Sequence, residues 1–185
     1  RRQTLIKKVV DSRVVLTVRP FDRERTLPAR ELELLHPGRR EKHLRQEQER
    51  HPSGKVPATP PSAHPLTLAF AKAGGRLVLG SDPRCCCYGR IPGFTNHEAL
   101  KLLAQAGFKP LEVIRIATLN GATFLGIQDR TGSIAAGKEA DLIIVRGDPS
   151  QRIEEISNVD MVFANGVVYD PQTLLSALNG LVSWQ

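Results

Sequence analysis

The sequence predicts an α/β chain, on three observations. Two short runs, Val14-Val-Leu-Thr-Val18 and Leu77-Val-Leu79, are almost continuously apolar. A parallel strand covered on both faces reads that way. Between them lies text with helical spacing, such as Leu66, Ala69, Phe70 and Ala73. The carboxyl end is different, because Ala140–Val145 and Met161–Tyr169 read as strands and the second run is broken by Asn165-Gly166. Asn-Gly is the favoured pair for a two-residue hairpin with positive φ at both positions.

Taken in order, Thr4 to Val10 reads as the end of a helix leading into a strand over 12–18. Leu27 to Leu35 and Pro37 to Arg50 read as two polar helices covering the outside or forming a lid. His51 to Ser62 is rich in proline and forms no regular element. Pro65 to Gly74 is a helix that stops at Gly74-Gly75 and feeds the strand at 77–79. Thr95-Asn-His-Glu98 has the pattern of a capping box, opening a helix that runs to Gln105 with Leu100, Leu103 and Ala104 inward. Gly107 stops it. Pro110 stands near the start of the next helix, Leu111 to Leu119, where its missing N–H costs nothing. A last helix is expected over Leu174 to Leu181, ending at Gly180.

Leu77-Val-Leu-Gly-Ser-Asp82 is the stretch richest in chemistry. Its strand, the turn allowed by Gly80 and the acid that follows place Asp82 just past a carboxyl strand end, where α/β folds keep their reactive groups. A carboxylate there binds a metal or takes a proton from water. Taken on this hexapeptide alone, a turn or helix-capping Asp is the commoner reading. His97 lies in the first turn of a helix facing the same mouth. It is either a substrate contact or an ordinary exposed or hydrogen-bonded histidine, the latter being commoner. Cys85-Cys86-Cys87 are the only cysteines. Adjacent cysteines do not meet disulfide geometry and are not spaced as zinc ligands, so they read as small pocket-lining residues open to oxidation.

Composition is that of an ordinary soluble protein, 41% hydrophobic and 24% charged. No apolar run approaches the ~18 residues of a membrane span, and no membrane partner is expected. The lack of a signal peptide in these residues says little about localisation, which is left open with the cytoplasm favoured. The net charge of +7 is uneven: residues 1–60 hold 15 Lys and Arg against 8 Asp and Glu, while 61–185 hold 11 of each. The basic part includes Gly38 to Arg50, which mixes both signs and has no interleaved aromatics. It reads as a solvated helix, and a nucleic-acid surface is not expected.

The strand and Asp82 are followed in order by Ile91-Pro-Gly-Phe-Thr-Asn-His-Glu98, Ala106-Gly-Phe-Lys-Pro-Leu-Glu112 and Ala117-Thr-Leu-Asn-Gly-Ala122. Leu125-Gly126, Gly132-Ser-Ile-Ala-Ala-Gly-Lys-Glu-Ala-Asp-Leu142 and Asn165-Gly166 complete the series. It resembles the carboxyl-terminal half of the amidohydrolase superfamily, in its imidazolonepropionase-like and prolidase-like branch. The likeness is strong from Leu77 to Pro171 and fainter from Thr4 to Pro20.

The resemblance implies the carboxyl-terminal part of a (β/α)8 metal-dependent hydrolase barrel over residues 1–126, part of a small β domain over 127–170, and a helix or tail over 171–185. It implies one or two divalent metals, zinc by preference, and hydrolysis of C–N bonds in small amide, cyclic amide or dipeptide-like substrates. Asp82 matches the family's acid after the eighth strand, a metal ligand and general base. Asp141 matches its structural acid in the small domain. The family's His-x-His pair and its later Lys, Glu and His ligands have no counterpart among His36, His43, His51, His64 and His97. A complete barrel takes about 250 residues. The 185-residue chain, opening at Arg1, is therefore expected to be a fragment or truncated reading frame. The alternative is an inactive remnant or accessory chain that folds only with a partner, and a homo-oligomer is compatible with either.

Overall fold

The computed structural model describes residues 2–12, 15–18, 27–55, 65–80 and 91–182. Helix α1 (Arg2–Asp11) precedes strand β1 (Val15–Val18). Helices α2 (Ala29–Leu34), α3 (Pro37–Arg50) and α4 (Pro65–Lys72) then lead to strand β2 (Arg76–Leu79). β1 and β2 pair in parallel, Val15 opposite Arg76 through Val18 opposite Leu79. Such a pairing requires the long crossover that separates them in sequence. After β2 come α5 (Phe94–Gln105), α6 (Pro110–Ala117) and α7 (Leu119–Leu125). The remainder is a small antiparallel sheet, β3 (Leu142–Val145), β4 (Val159–Ala164) and β5 (Val167–Tyr169), followed by α8 (Pro171–Ala177).

The main core joins both parts. Phe70 of α4, Leu77 of β2, Leu100 and Leu103 of α5, Phe108, and Val113 and Ile116 of α6 are buried together. Ile153 and Ile156, from a 3₁₀ turn between β3 and β4, enter the same cluster. The small sheet is thus anchored through two isoleucines that lie outside its strands. Gly75 sits so close to Phe70 that an added Cβ would meet the ring at 2.3 Å. The aromatic therefore covers the entry to β2.

A second cluster gathers Leu27 and Leu35 with Ile91, packed by Leu32, Phe94 and Val182. Backbone bonds tie the same place together. Gly180 N–H donates to Glu33 O (2.9 Å), Val182 N–H to Leu34 O (2.8 Å), and His36 N–H to Val182 O (3.0 Å). The Arg40 guanidinium donates to Leu32 O and Glu33 O, satisfying carbonyls at the end of α2.

Several expectations need correction. The capping box at Thr95 and Glu98 does not form: α5 begins at Phe94, its N-cap is Gly93, and no side chain caps it. Thr95 is therefore already inside the first turn, with its N–H bonded to Ile91 O and its buried hydroxyl without a partner. The helix expected over 111–119 is interrupted at Thr118, whose backbone departs from helical geometry, and α7 follows as a separate helix. The last helix starts earlier, at Pro171, because Asp170 caps it, accepting from the N–H groups of Gln172 and Thr173. The polar helices are not wholly solvated, since Glu31 and His43 are buried.

Candidate functional site

β2 precedes the candidate site in sequence. Leu77 and Val78 are buried, as a strand covered on both faces should be, and Gly80 ends the described segment. Asp82 follows two residues later and lies outside the described residues, as do Cys85, Cys86 and Cys87.

The strand has a partner that the sequence did not disclose. Asn120 Nδ2, on the first turn of α7, donates to the Leu77 carbonyl at 2.8 Å. Asparagine is a weak helix former whose side chain readily bonds backbone groups, and that was the signal available. Its target lies 43 residues away and could not be read from spacing. The start of α7 is itself fixed. Thr118 Oγ1 donates to Ile114 O and the Ala122 N–H to Thr118 O. Gly132, at φ 86°, lies so close that a Cβ there would meet Ala122 Cβ at 2.6 Å. The stretches around Ala117–Ala122 and Gly132–Leu142 are thus one packed junction.

The second stretch is structural in its charged residues too. The Lys138 ammonium donates to Gln128 O and to Ser133 Oγ, and Arg130 pairs with Glu139. Asp141 Oδ1 accepts the Asn165 N–H at 2.7 Å, while Gly166 N–H donates to Ala140 O. Asn165 (φ 51°) and Gly166 (φ 77°) form the expected hairpin turn, so Asp141 holds a turn tip.

His97 lies in the first turn of α5 and is partly buried. Its imidazole is held below the ordinary pKa, chiefly by burial and then by the positive charges of Lys101 and Arg30. It is therefore largely neutral near pH 7, able to donate through one ring nitrogen and accept through the other. Arg30, from α2, lies over the Phe94 ring, 5.5 Å from its centre. This brings α2 against the start of α5.

Among the described residues, no group of three or more His, Cys, Asp or Glu could hold a metal ion. His36, His43 and His51 follow α3 from end to end and His97 sits on α5. The residues described therefore do not fit a metal centre by themselves. A cavity of about 1040 Å³ exists elsewhere, between α6, α7 and the small sheet, lined by Leu111, Ile114, Leu119, Ile127, Ile134 and Phe163 among others. It includes neither β2 nor α5.

These elements recur in solved enzymes. The chain matches the crystal structure of molinate hydrolase over 92% of its own length and 36% of that chain, with TM-score 0.59 and 20% identity. It matches an amidohydrolase from Thermotoga maritima over 91% of its length and 34% of that chain, with TM-score 0.57 and 20% identity. These likenesses show a shared fold of mixed helices and strands. The sequence profile of the Amidohydrolase family matches residues 60–169, and the chain belongs to that family. Imidazolonepropionase of Thermoplasma volcanium is 30% identical over 112 residues, 58% of this chain and 27% of the relative. Guanine deaminase of Escherichia coli is 32% identical over 87 residues, 43% of this chain and 20% of the relative. The chain thus matches about a quarter or less of the length of these two curated relatives. Among the described residues, no helix is long and apolar enough to cross a membrane.

Proposed function

We propose that the chain is part of a hydrolase that cleaves C–N bonds of small amides or cyclic amides, with Asp82 as general base. The supporting observation is β2: a buried strand, fixed at its middle by Asn120, whose sequence runs through Gly80 into Asp82 inside the family match. In this reading residues 1–126 form part of a (β/α)8 barrel, 127–170 part of a small β domain, and 171–185 a terminal helix or tail. Relatives named as deaminases and imidazolonepropionases fit a reaction at a ring or amide C–N bond.

The Asp82 carboxylate takes a proton from the attacking water as the C–O bond forms, then returns it to the nitrogen as the C–N bond breaks. His97, neutral and partly buried, is the residue proposed to touch substrate. A divalent metal of zinc type belongs to this proposal, with Asp82 as one ligand; it would polarise the carbonyl and acidify bound water. The described residues do not supply the other ligands, so the steps above use the carboxylate alone.

The test is Asp82→Asn in the natural full-length protein, assayed on a panel of N-acyl amino acids, Xaa-Pro dipeptides, imidazolones and aminopurines. Turnover falls by about 100-fold or more with the fold retained. Near-normal turnover refutes the assignment. The second reading, an inactive or accessory chain, is motivated by the single candidate carboxylate against the four ligands of a tight zinc site. A His-x-His pair in the natural full-length sequence favours the first reading, and zinc analysis of the isolated 185-residue chain after exhaustive dialysis tests whether it holds a ligand set of its own. Well below one equivalent is expected, and stoichiometric zinc would show that a ligand set is present.

A further inference from the structure

We infer that Asn120 is a positioning residue for the reactive end of β2, and the inference rests on the reading of Asp82 given above. The Asn120 amide meets the Leu77 carbonyl at 2.8 Å across 43 residues of chain, and Leu77 is almost fully buried. The bond is partly buried, where a carbonyl deprived of its donor is costly, so it holds the strand in place rather than merely touching it.

The anchor is itself rigid. Asn120 is the second residue of α7, and α7 begins at the Thr118 break, where Gly132 packs against Ala122 Cβ, Leu119 Cα and Thr118 O with no room for a side chain. The Ala122 carbonyl is taken by Ile127 N–H at 2.9 Å. The donor is thus carried by a junction that cannot shift without unpacking. On its target side the strand runs from Leu77 to Gly80, a rise of about 10 Å. A swing of about 6° around the Asn120 bond would carry Gly80 by about 1 Å, and misplacement on that scale costs roughly 100-fold in rate when it reaches the reacting atoms.

A side chain that only stabilised the fold would lower the melting temperature and leave the reactive end unmoved. A positioning residue displaces the residues beyond the strand at equal stability. Three variants of the full-length protein make the comparison. Asn120→Leu keeps the shape and removes the donor, Asn120→Gln keeps a donor on a longer arm, and Val113→Ala loosens the main core without touching the Leu77 carbonyl.

Backbone NMR is the first readout. The amide resonances of Gly80, Ser81 and Asp82 move in Asn120→Leu, move less in Asn120→Gln, and stay at wild-type positions in Val113→Ala. Kinetics on whichever panel substrate is turned over is the second. Asn120→Leu lowers kcat tenfold or more with KM within twofold, whereas Val113→Ala leaves both within twofold well below its melting temperature. Should Asn120→Leu not fold, Asn120→Ser, small, polar and too short to reach the carbonyl, carries the same comparison. Resonances of 80–82 that move no more in Asn120→Leu than in Val113→Ala overturn the inference alone. Normal turnover in Asp82→Asn overturns the reading of Asp82, and the inference with it.

Discussion

Gly132 shows how sharply single residues are constrained here. Its φ of 86° strains any side chain, and the space a Cβ would need is occupied by Ala122 at 2.6 Å and by backbone at 3.2 Å. Gly132→Ala is expected to cost about 3 kcal/mol, combining left-handed strain with overpacking, measured by urea unfolding. A change under about 1 kcal/mol would mean the junction yields more readily than its packing implies. Asp82 is expected as the reactive acid from its place in sequence after an apolar run, and it lies outside the described residues. Asn120 was the reverse case: it stood in a quoted stretch with no role, because its partner is distant in sequence. Thr95 and Glu98 had the spacing of a capping box, but a helix beginning two residues earlier, after Gly93, puts the hydroxyl inside the turn. Local spacing does not choose between two starts two residues apart.

At the level of elements, the hairpin was the most legible because Asn165-Gly166 satisfies a purely local backbone demand. The division of α6 from α7 was not legible, since the pattern of apolar residues continues across Thr118 while the backbone does not. The start of α8 was available in Asp170-Pro171, a cap followed by a helix-opening proline. That cap makes α8 sensitive to acid. Thr173 Oγ1 first, then the N–H groups of Gln172 and Thr173, hold the Asp170 carboxyl below its ordinary range. A carboxylate with a lowered folded pKa stabilises above its unfolded value and loses that contribution as pH falls through the folded one. Amide exchange at Leu174 and Ala177 is therefore expected to quicken as pH drops below about 4, relative to its intrinsic rate. Asp170→Asn should flatten that dependence. An unchanged pH profile in the variant would show that the cap is not its source.

Across the molecule, several large apolar side chains among the described residues stand exposed. Part of the exposed area is apolar and contiguous with the cavity beside α6 and α7, including Leu111, Leu125 and Ile134, the last 91% exposed. Apolar area of this kind drives association. The 185-residue chain is expected to elute ahead of a 20 kDa monomer at tens of micromolar, as read by light scattering coupled to size exclusion. Paired Leu125→Asp and Ile134→Asp substitutions should shift it toward monomer. A sharp monomer peak from the unmodified chain would contradict this. The mixed helix and strand class was readable from apolar runs and helical spacing, because those patterns are local. How much surface the chain leaves open was not, since that depends on contacts between segments far apart.

The bonds between Gly180–Val182 and the end of α2 have a consequence for the order of assembly. Leu35 and Val182 are bridged although roughly 150 residues separate them, and closing a loop of that size costs about 4 kcal/mol of chain entropy before any contact rewards it. On the ribosome, the α2–α3 corner emerges long before the segment that completes it. The Leu34 carbonyl and the His36 N–H wait for their partners until Val182 has cleared the exit tunnel. The corner that carries Arg30 toward Phe94 and His97 is thus finished late, by the last stretch of described chain to be made.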